Sequence, residues 1–112
     1  MNRKLDVAIA EALGKHVIES EYWPHYIIRR EDGLYHVPYY SSDGNAMLEL
    51  DREMRERGWR IYDMEYGGFA GNGYAVQYTD GKTPVFAVAE AMPKVIALAA
   101  YKALTGKEWQ DD

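Results

Sequence analysis

Two Asp-Gly pairs, each lying between short segments of apolar and β-branched residues, constrain the fold of this chain more than any other feature. Asp-Gly readily adopts the positive backbone torsions of a tight hairpin turn, so each pair predicts two antiparallel strands. Asp32-Gly33 joins residues 26–29 to 34–37, and Asp80-Gly81 joins residues 74–79 to 85–88. Residues 59–66, which are aromatic and β-branched, predict a further strand before the second hairpin. The sequence therefore predicts a hairpin and a three-strand meander.

Apolar residues at three- and four-residue spacing predict three helices around these strands. The first covers about residues 3–13 and ends at Gly14. The second has three adjacent N-cap candidates, Ser41, Ser42 and Asp43, and ends at Gly58. The third covers about residues 90–104, with Pro93 in its first turn and Gly106 as its stop. The predicted order is helix, hairpin, helix, three-strand meander, helix.

This order predicts an α+β fold, in which a small antiparallel sheet is flanked by helices. A length of 112 residues with 47% hydrophobic composition fits one hydrophobic core, so residues 1–112 are predicted to form a single domain. The longest weakly polar segment, residues 85–104, is interrupted by charged residues and a proline. It is therefore too polar to span a membrane.

The charge distribution argues against a binding surface for duplex nucleic acid. The net charge is −5, and the basic cluster in residues 52–60 alternates with acidic residues, which is typical of a salt-bridged, solvated helix face. This balance still permits a small phosphorylated ligand held by one or two arginines. The chain has no cysteine, which excludes disulfides and thiolate chemistry and fits a reducing cytoplasm.

No arrangement of residues in the sequence predicts catalysis or a metal site. His16, His25 and His36 lack the helical spacing of metal ligands. Ser41 and Ser42 lie in no nucleophile elbow, and ordinary helix capping explains them. We therefore predict no catalytic residues, no metal and no cofactor.

The glycine-rich segment Gly67–Gly73 has two interpretations. Glycines let backbone amides approach a phosphate closely, and Phe69 or Tyr74 could stack on a base. The segment joins two strands, however, whereas a phosphate-binding loop is followed by a helix. A mobile hairpin loop and a ligand-binding loop both remain open at this point.

The chain resembles the phage ABA sandwich proteins. The resemblance lies in Tyr39-Tyr40-Ser41-Ser42-Asp43 leading through a helix to Arg57-Gly58-Trp59, and in the proline and alanine-rich helix of residues 89–104. Residues 5–14 are similar to the first helix of that family. The resemblance implies the family's fold, a phage or prophage origin, and a location in the cytoplasm of an infected bacterial cell. By a further analogy, phage proteins of this size include the Thoeris anti-defence sponges, which sequester cyclic ADP-ribose-type immune signals without cleaving them.

Aromatic residues are numerous, with ten tyrosines and three tryptophans. Because the meander carries aromatics at more positions than one core face can bury, we expect a homo-oligomer with aromatic residues at its interface. The alternative is that the ring bodies pack inside while the hydroxyl groups reach water.

Two hypotheses of function follow, and a small hydrolase is a distant third. The first is a non-enzymatic sponge for a cyclic nucleotide or cyclic ADP-ribose-type signal. Its six candidate ligand-binding residues are Tyr40, Arg57, Arg60, Phe69, Asn72 and Tyr74. The second is a phage accessory protein that binds another protein through an aromatic sheet face.

Overall fold

The computed structural model describes residues 3–22, 25–67 and 71–110. Within them the chain forms three helices and six strands. In chain order these are α1 (Arg3–Ala12), β1 (Val17–Glu19), β2 (Tyr26–Arg30), β3 (Gly33–His36), α2 (Gly44–Glu56), β4 (Arg60–Tyr66), β5 (Tyr74–Thr79), β6 (Pro84–Ala89) and α3 (Met92–Thr105). The predicted α+β fold is confirmed, and the order of elements roughly matches the prediction.

Helix ends follow the local chemistry of the sequence. Of the three predicted N-cap candidates of α2, Asp43 is the cap, and its carboxylate accepts a hydrogen bond from the Ala46 backbone N–H at 2.9 Å. Pro93 lies in the first turn of α3, where its missing N–H costs nothing. Gly106 ends α3 with a φ of 73°, a left-handed conformation that favours glycine.

The strands form two antiparallel sheets of three strands each, with orders β1-β2-β3 and β4-β5-β6. The predicted first hairpin is therefore part of a meander, because Val17–Glu19 pairs with β2 and adds a strand that the sequence pattern did not predict. In the second sheet β5 is central, and the register between β4 and β5 shifts between Ile61 and Asp63, as at a β-bulge. Two edges, β4 and β6, border this second sheet.

Helix α3 lies at the centre of the molecule and contacts α1, α2, β5 and β6. Its alanines 97, 99 and 100 are fully buried, and small side chains of this kind let the helix approach the sheet closely. On β5, Val76 and Tyr78 face the same core. The second sheet and the helices thus share one hydrophobic core. No helix in the described residues is long and apolar enough to cross a bilayer.

A buried carboxylate connects α1 to the segment that leads into α2. Asp6 is fully buried, and it accepts hydrogen bonds from the Arg3 guanidinium and from the Ser41 backbone N–H, each at 2.8 Å. The same guanidinium donates to the carbonyl oxygen of Val37 at 2.8 Å and lies 3.9 Å from the centroid of the Tyr39 ring. This clamp, formed by Arg3 and Asp6, fastens the end of the first sheet to the helices.

Candidate functional site

The second sheet has one face covered by helices and one face turned to solvent. Successive side chains of a strand point to opposite faces of the sheet. Because Val76 and Tyr78 of β5 face the core, Ala75, Gln77 and Thr79 face away from it. Cross-strand pairing then defines what we call the outer face, which consists of the rows Glu65–Ala75–Val88, Asp63–Gln77–Phe86 and Arg60–Thr79–Pro84. All the β4 and β6 members of these rows are exposed.

The outer face is chemically asymmetric. Its β4 side carries the charged side chains of Arg60, Asp63 and Glu65, whereas its β6 side carries Phe86 and Val88, which are 56% and 50% exposed. Between them Ala75 is small and buried, which leaves a shallow depression of about 40 Å³. Half-exposed apolar side chains on β6, with two carboxylates across the sheet on β4, suit a partner that is itself apolar and basic.

The two edges of the second sheet also differ. Strand β4 carries charged residues and a bulge, which are the usual devices that keep an edge strand from pairing with other chains. Strand β6 begins with Pro84 and continues through five uncharged residues, 85–89, in unbroken register with β5. The β6 edge therefore lacks the protection that the β4 edge has.

A groove of about 220 Å³ runs along β6. It is bordered by β6 residues 86–89 on one side and by α3 and the following segment on the other, with Glu90, Lys94, Leu98, Glu108 and Trp109 as the remaining lining residues. The Trp109 ring packs edge-on against Tyr101 of α3, with ring centroids 5.2 Å apart, so the outer wall of the groove is fixed to the helix. We call this feature the β6 groove.

Ion pairs set the charge of the β6 groove. The Lys94 ammonium lies 3.2 Å from the Glu90 carboxylate, and Lys102 pairs with Glu108. Its own backbone N–H and the neighbouring Lys94 lower the pKa of Glu90 below its ordinary value. Glu90 is therefore ionised at neutral pH. The Glu90 and Glu108 carboxylates both remain largely open to solvent beside the apolar lining.

Tyr40, one of the predicted ligand-binding residues, lies fully buried in the core. Burial, followed in size by the nearby Glu53 and Glu49 carboxylates, raises the pKa of its phenol. The hydroxyl group has no hydrogen-bond partner among the described residues. Tyr40 is thus positioned for packing, and a ligand would reach its ring only if the core opened.

The predicted arginines lie at the end of α2 and at the start of β4. The Arg57 guanidinium donates to the carbonyl oxygen of Leu13 at 2.7 Å, next to the end of α2. Arg60 pairs with Thr79 at one end of the β4–β5 hairpin, whereas Tyr74 pairs with Tyr66 at the other. Five residues along a strand correspond to about 17 Å. The geometry therefore does not bring these arginines and Tyr74 to one pocket.

Around the glycine-rich segment the structure does bring two of the predicted residues together. Asn72 is exposed in a turn, and Tyr74 begins β5, where its ring packs at 61° to that of Tyr66 with centroids 4.8 Å apart. Phe69 lies outside the described residues. The role of this segment as a ligand loop stays a prediction.

The described residues contain no group of three or more histidine, aspartate or glutamate side chains that could hold a metal ion. His16, His25 and His36 are all exposed. Ser41 is buried, and its backbone N–H is bonded to Asp6. Its position is explained by the clamp that joins α1 to α2.

The sequence reasoning did not identify the β6 groove or the clamp. The sequence signal for the groove was the contrast between the uncharged residues 85–89 and the charged residues of β4. That signal could be used only once the strand order showed that β4 and β6 are the two edges of the sheet. Trp109 lies beyond the last predicted helix, so no periodicity placed it. For the clamp, the signal was Asp6 within the apolar stripe of α1, next to the fully buried Leu5.

Comparisons with known proteins gave no match among protein-family models, curated proteins or solved structures. The resemblance to phage ABA sandwich proteins consequently stays a prediction.

Proposed function

We propose that this chain is a non-enzymatic binding module that recognises another protein through the second sheet. One observation carries the proposal: the outer face leaves Phe86 and Val88 half-exposed next to each other, in a sheet whose opposite face packs Val76 and Tyr78 into the core. Exposed apolar side chains that lie adjacent on a rigid sheet mark interaction surfaces more often than isolated ones do.

The charges around this surface specify the partner further. Asp63 and Glu65 lie across the outer face, Glu90 and Glu108 lie at the β6 groove, and the chain as a whole carries a net charge of −5. A partner with apolar residues flanked by lysine or arginine would complement this pattern and would be steered towards it.

The sponge hypothesis has less geometric support than the interaction hypothesis. A diphosphate needs converging cations or backbone amides. Arg60 lies at the opposite end of the β4–β5 hairpin from Tyr74, Arg57 donates to the Leu13 carbonyl, and the β6 groove has two carboxylates and one ammonium in its lining. Calorimetry with cyclic ADP-ribose isomers and cyclic oligonucleotides tests the hypothesis directly. Tight binding of an unaltered ligand would restore it over the interaction hypothesis.

Affinity purification with matched variants tests the proposed function. The face variant replaces Phe86 and Val88 by lysine, and the control variant replaces Tyr22 and Leu34, which are 79% and 61% exposed, in the same way. We expect a bacterial protein that copurifies with the native chain and the control variant but not with the face variant. The proposal would be contradicted if the same proteins copurified with the native chain, the control variant and the face variant. It would also be contradicted if no protein copurified with any of them.

A further inference from the structure

We infer that the β6 groove binds an extended peptide segment, which adds a fourth strand to the second sheet and carries apolar residues flanked by lysine or arginine. This inference rests on the proposed function and names the kind of partner segment that the second sheet would take.

The backbone of β6 is open to pairing along one side. An edge strand presents a row of unpaired N–H and C=O groups on its open side, and these groups can pair with an incoming strand. Strand β4 carries a bulge and charges that oppose such pairing, whereas β6 carries neither between Val85 and Ala89. Of the two edges of this sheet, β6 is the one suited to strand addition.

The β6 groove lies between the edge of a sheet and a helix. In such a groove the sheet edge pairs with the backbone of an added strand, and the helix contacts its side chains. Leu98 and Trp109 provide an apolar wall on the helix side, and Phe86 and Val88 provide apolar neighbours on the outer face. Alternate side chains of an added strand would therefore contact apolar surface on both faces.

The Glu90 and Glu108 side chains at the groove are 72% and 67% exposed, so each can attract a cation while it keeps its lysine partner. The groove lining as a whole holds two carboxylates and one ammonium, in a chain of net charge −5, so lysine or arginine at the ends of the added segment would meet an excess of negative charge. A segment flanked by acidic residues would be repelled.

A second copy of this chain fits the β6 groove less well. Two β6 strands that pair antiparallel are related by a two-fold axis perpendicular to the sheet, so both sets of helices lie on the same side. The walls formed by Glu108 and Trp109 would then approach each other and bring two identical carboxylates together. This crowding favours a segment from a different protein.

The test uses the intact protein and synthetic peptides, followed by backbone amide NMR. The probe is acetylated Lys-Val-Thr-Val-Thr-Val-Lys, and its controls are the same peptide with glutamate at both ends and a fully N-methylated form that has no backbone donors. We expect the probe to shift the amides of residues 85–90 and the Trp109 indole. The N-methylated form should bind at least about tenfold more weakly. The advantage over the glutamate peptide should shrink in high salt.

A matched pair of variants locates the binding. Val88→Lys should weaken binding of the probe at least about tenfold, whereas Leu48→Lys, at an exposed position on α2, should leave it unchanged. The absence of any shift at millimolar probe, shifts confined to other elements, or undiminished binding of the N-methylated peptide would overturn the inference. Dimers in sedimentation with protected β6 amides in the free protein would identify a second copy as the occupant and would also overturn it.

This test separates the inference from the proposed function. If the face variant loses its partner while the probe fails to bind at β6, the partner contacts the outer face by side chains alone. In that case strand addition is wrong and the proposed function stands. If neither a partner nor the probe binds, both are wrong.

Discussion

The two sheets have the same antiparallel three-strand topology, yet they stand in different relations to the core. In the second sheet the central strand β5 has residues 75, 76 and 78 buried, and it packs against α3. In the first sheet β3 is exposed along its whole length, and Ile28 is the one fully buried residue among the described strand positions. The comparison shows that strand pairing alone does not decide how deeply a sheet enters the core, since α3 lies against two strands of the second sheet, whereas the first sheet meets the helices mainly where β1 contacts α1.

Replacing a buried isoleucine by alanine, once in α3 and once in the first sheet, should give the largest change in the free energy of unfolding. Ile96 of α3 and Ile28 of β2 are both 1% exposed, so their replacement by alanine removes the same buried atoms. We expect Ile96→Ala to lower the free energy of unfolding by about 3–5 kcal/mol, and Ile28→Ala by about 2 kcal/mol, because a lightly packed sheet collapses more readily around the cavity. Denaturant titration of both variants measures the difference. Equal losses would mean that the first sheet is as tightly packed as the second.

Removal of the clamp should affect the first sheet more than the second. Arg3→Met leaves the fully buried Asp6 carboxylate without its cation and should cost about 2–3 kcal/mol. Hydrogen exchange should accelerate in β2 and β3 more than in β5, because Arg3 also holds the Val37 carbonyl. Lys4→Met, at an exposed neighbouring position, is the control and should change neither quantity. Uniform acceleration across both sheets would show that the clamp stabilises the whole fold.

Two tyrosine hydroxyl groups, one in each sheet, allow a second comparison of buried and exposed positions. The Tyr78 hydroxyl donates to Asp51 at 2.7 Å from within the core, whereas the Tyr35 hydroxyl donates to Asp32 at 2.8 Å on the surface. Tyr78→Phe should cost about 1–2 kcal/mol, because it leaves a partly buried carboxylate with fewer partners. Tyr35→Phe should cause no measurable change in the midpoint of thermal unfolding. A larger loss at Tyr35 than at Tyr78 would reverse our assignment of the two environments.

The smallest expected effect is the pH dependence of the turn between β5 and β6. The Asp80 carboxylate accepts hydrogen bonds from the backbone N–H groups of Thr83 and Lys82, at 2.7 and 2.9 Å, and these bonds lower its pKa. Because the folded-state pKa is depressed, the resulting stability is present above the ordinary pKa of Asp, about 3.9, and is lost as pH falls through the lower folded value. Carboxyl-carbon NMR should give a midpoint below that ordinary value. A midpoint at or above it would mean that the turn does not hold in solution.

The sequence predicted the helices and strands better than it predicted which strands pair with one another. Helix ends and strands β5 and β6 were predictable because a glycine stop, an Asp-Gly turn and residue periodicity are local signals. Strand β1 was not, since three residues carry too little pattern, and the division into two sheets depends on which strands meet across the chain. The same limit applies to the candidate site. The contrast between the β4 and β6 edges arises from strand order, and the burial of Tyr40, a predicted ligand-binding residue, depends on which elements pack around it.

We propose that the second sheet, and not the first, carries the binding surface. Site-specific photo-crosslinking tests this claim directly, with benzoylphenylalanine placed at Phe86 on the second sheet or at Leu34 on the first, two positions of similar exposure. We predict that the probe at Phe86 captures one defined protein in bacterial cells, and that Phe86-directed capture is lost when Val88 is replaced by lysine. Capture of that protein from Leu34 alone, or equally from both positions, would contradict the account.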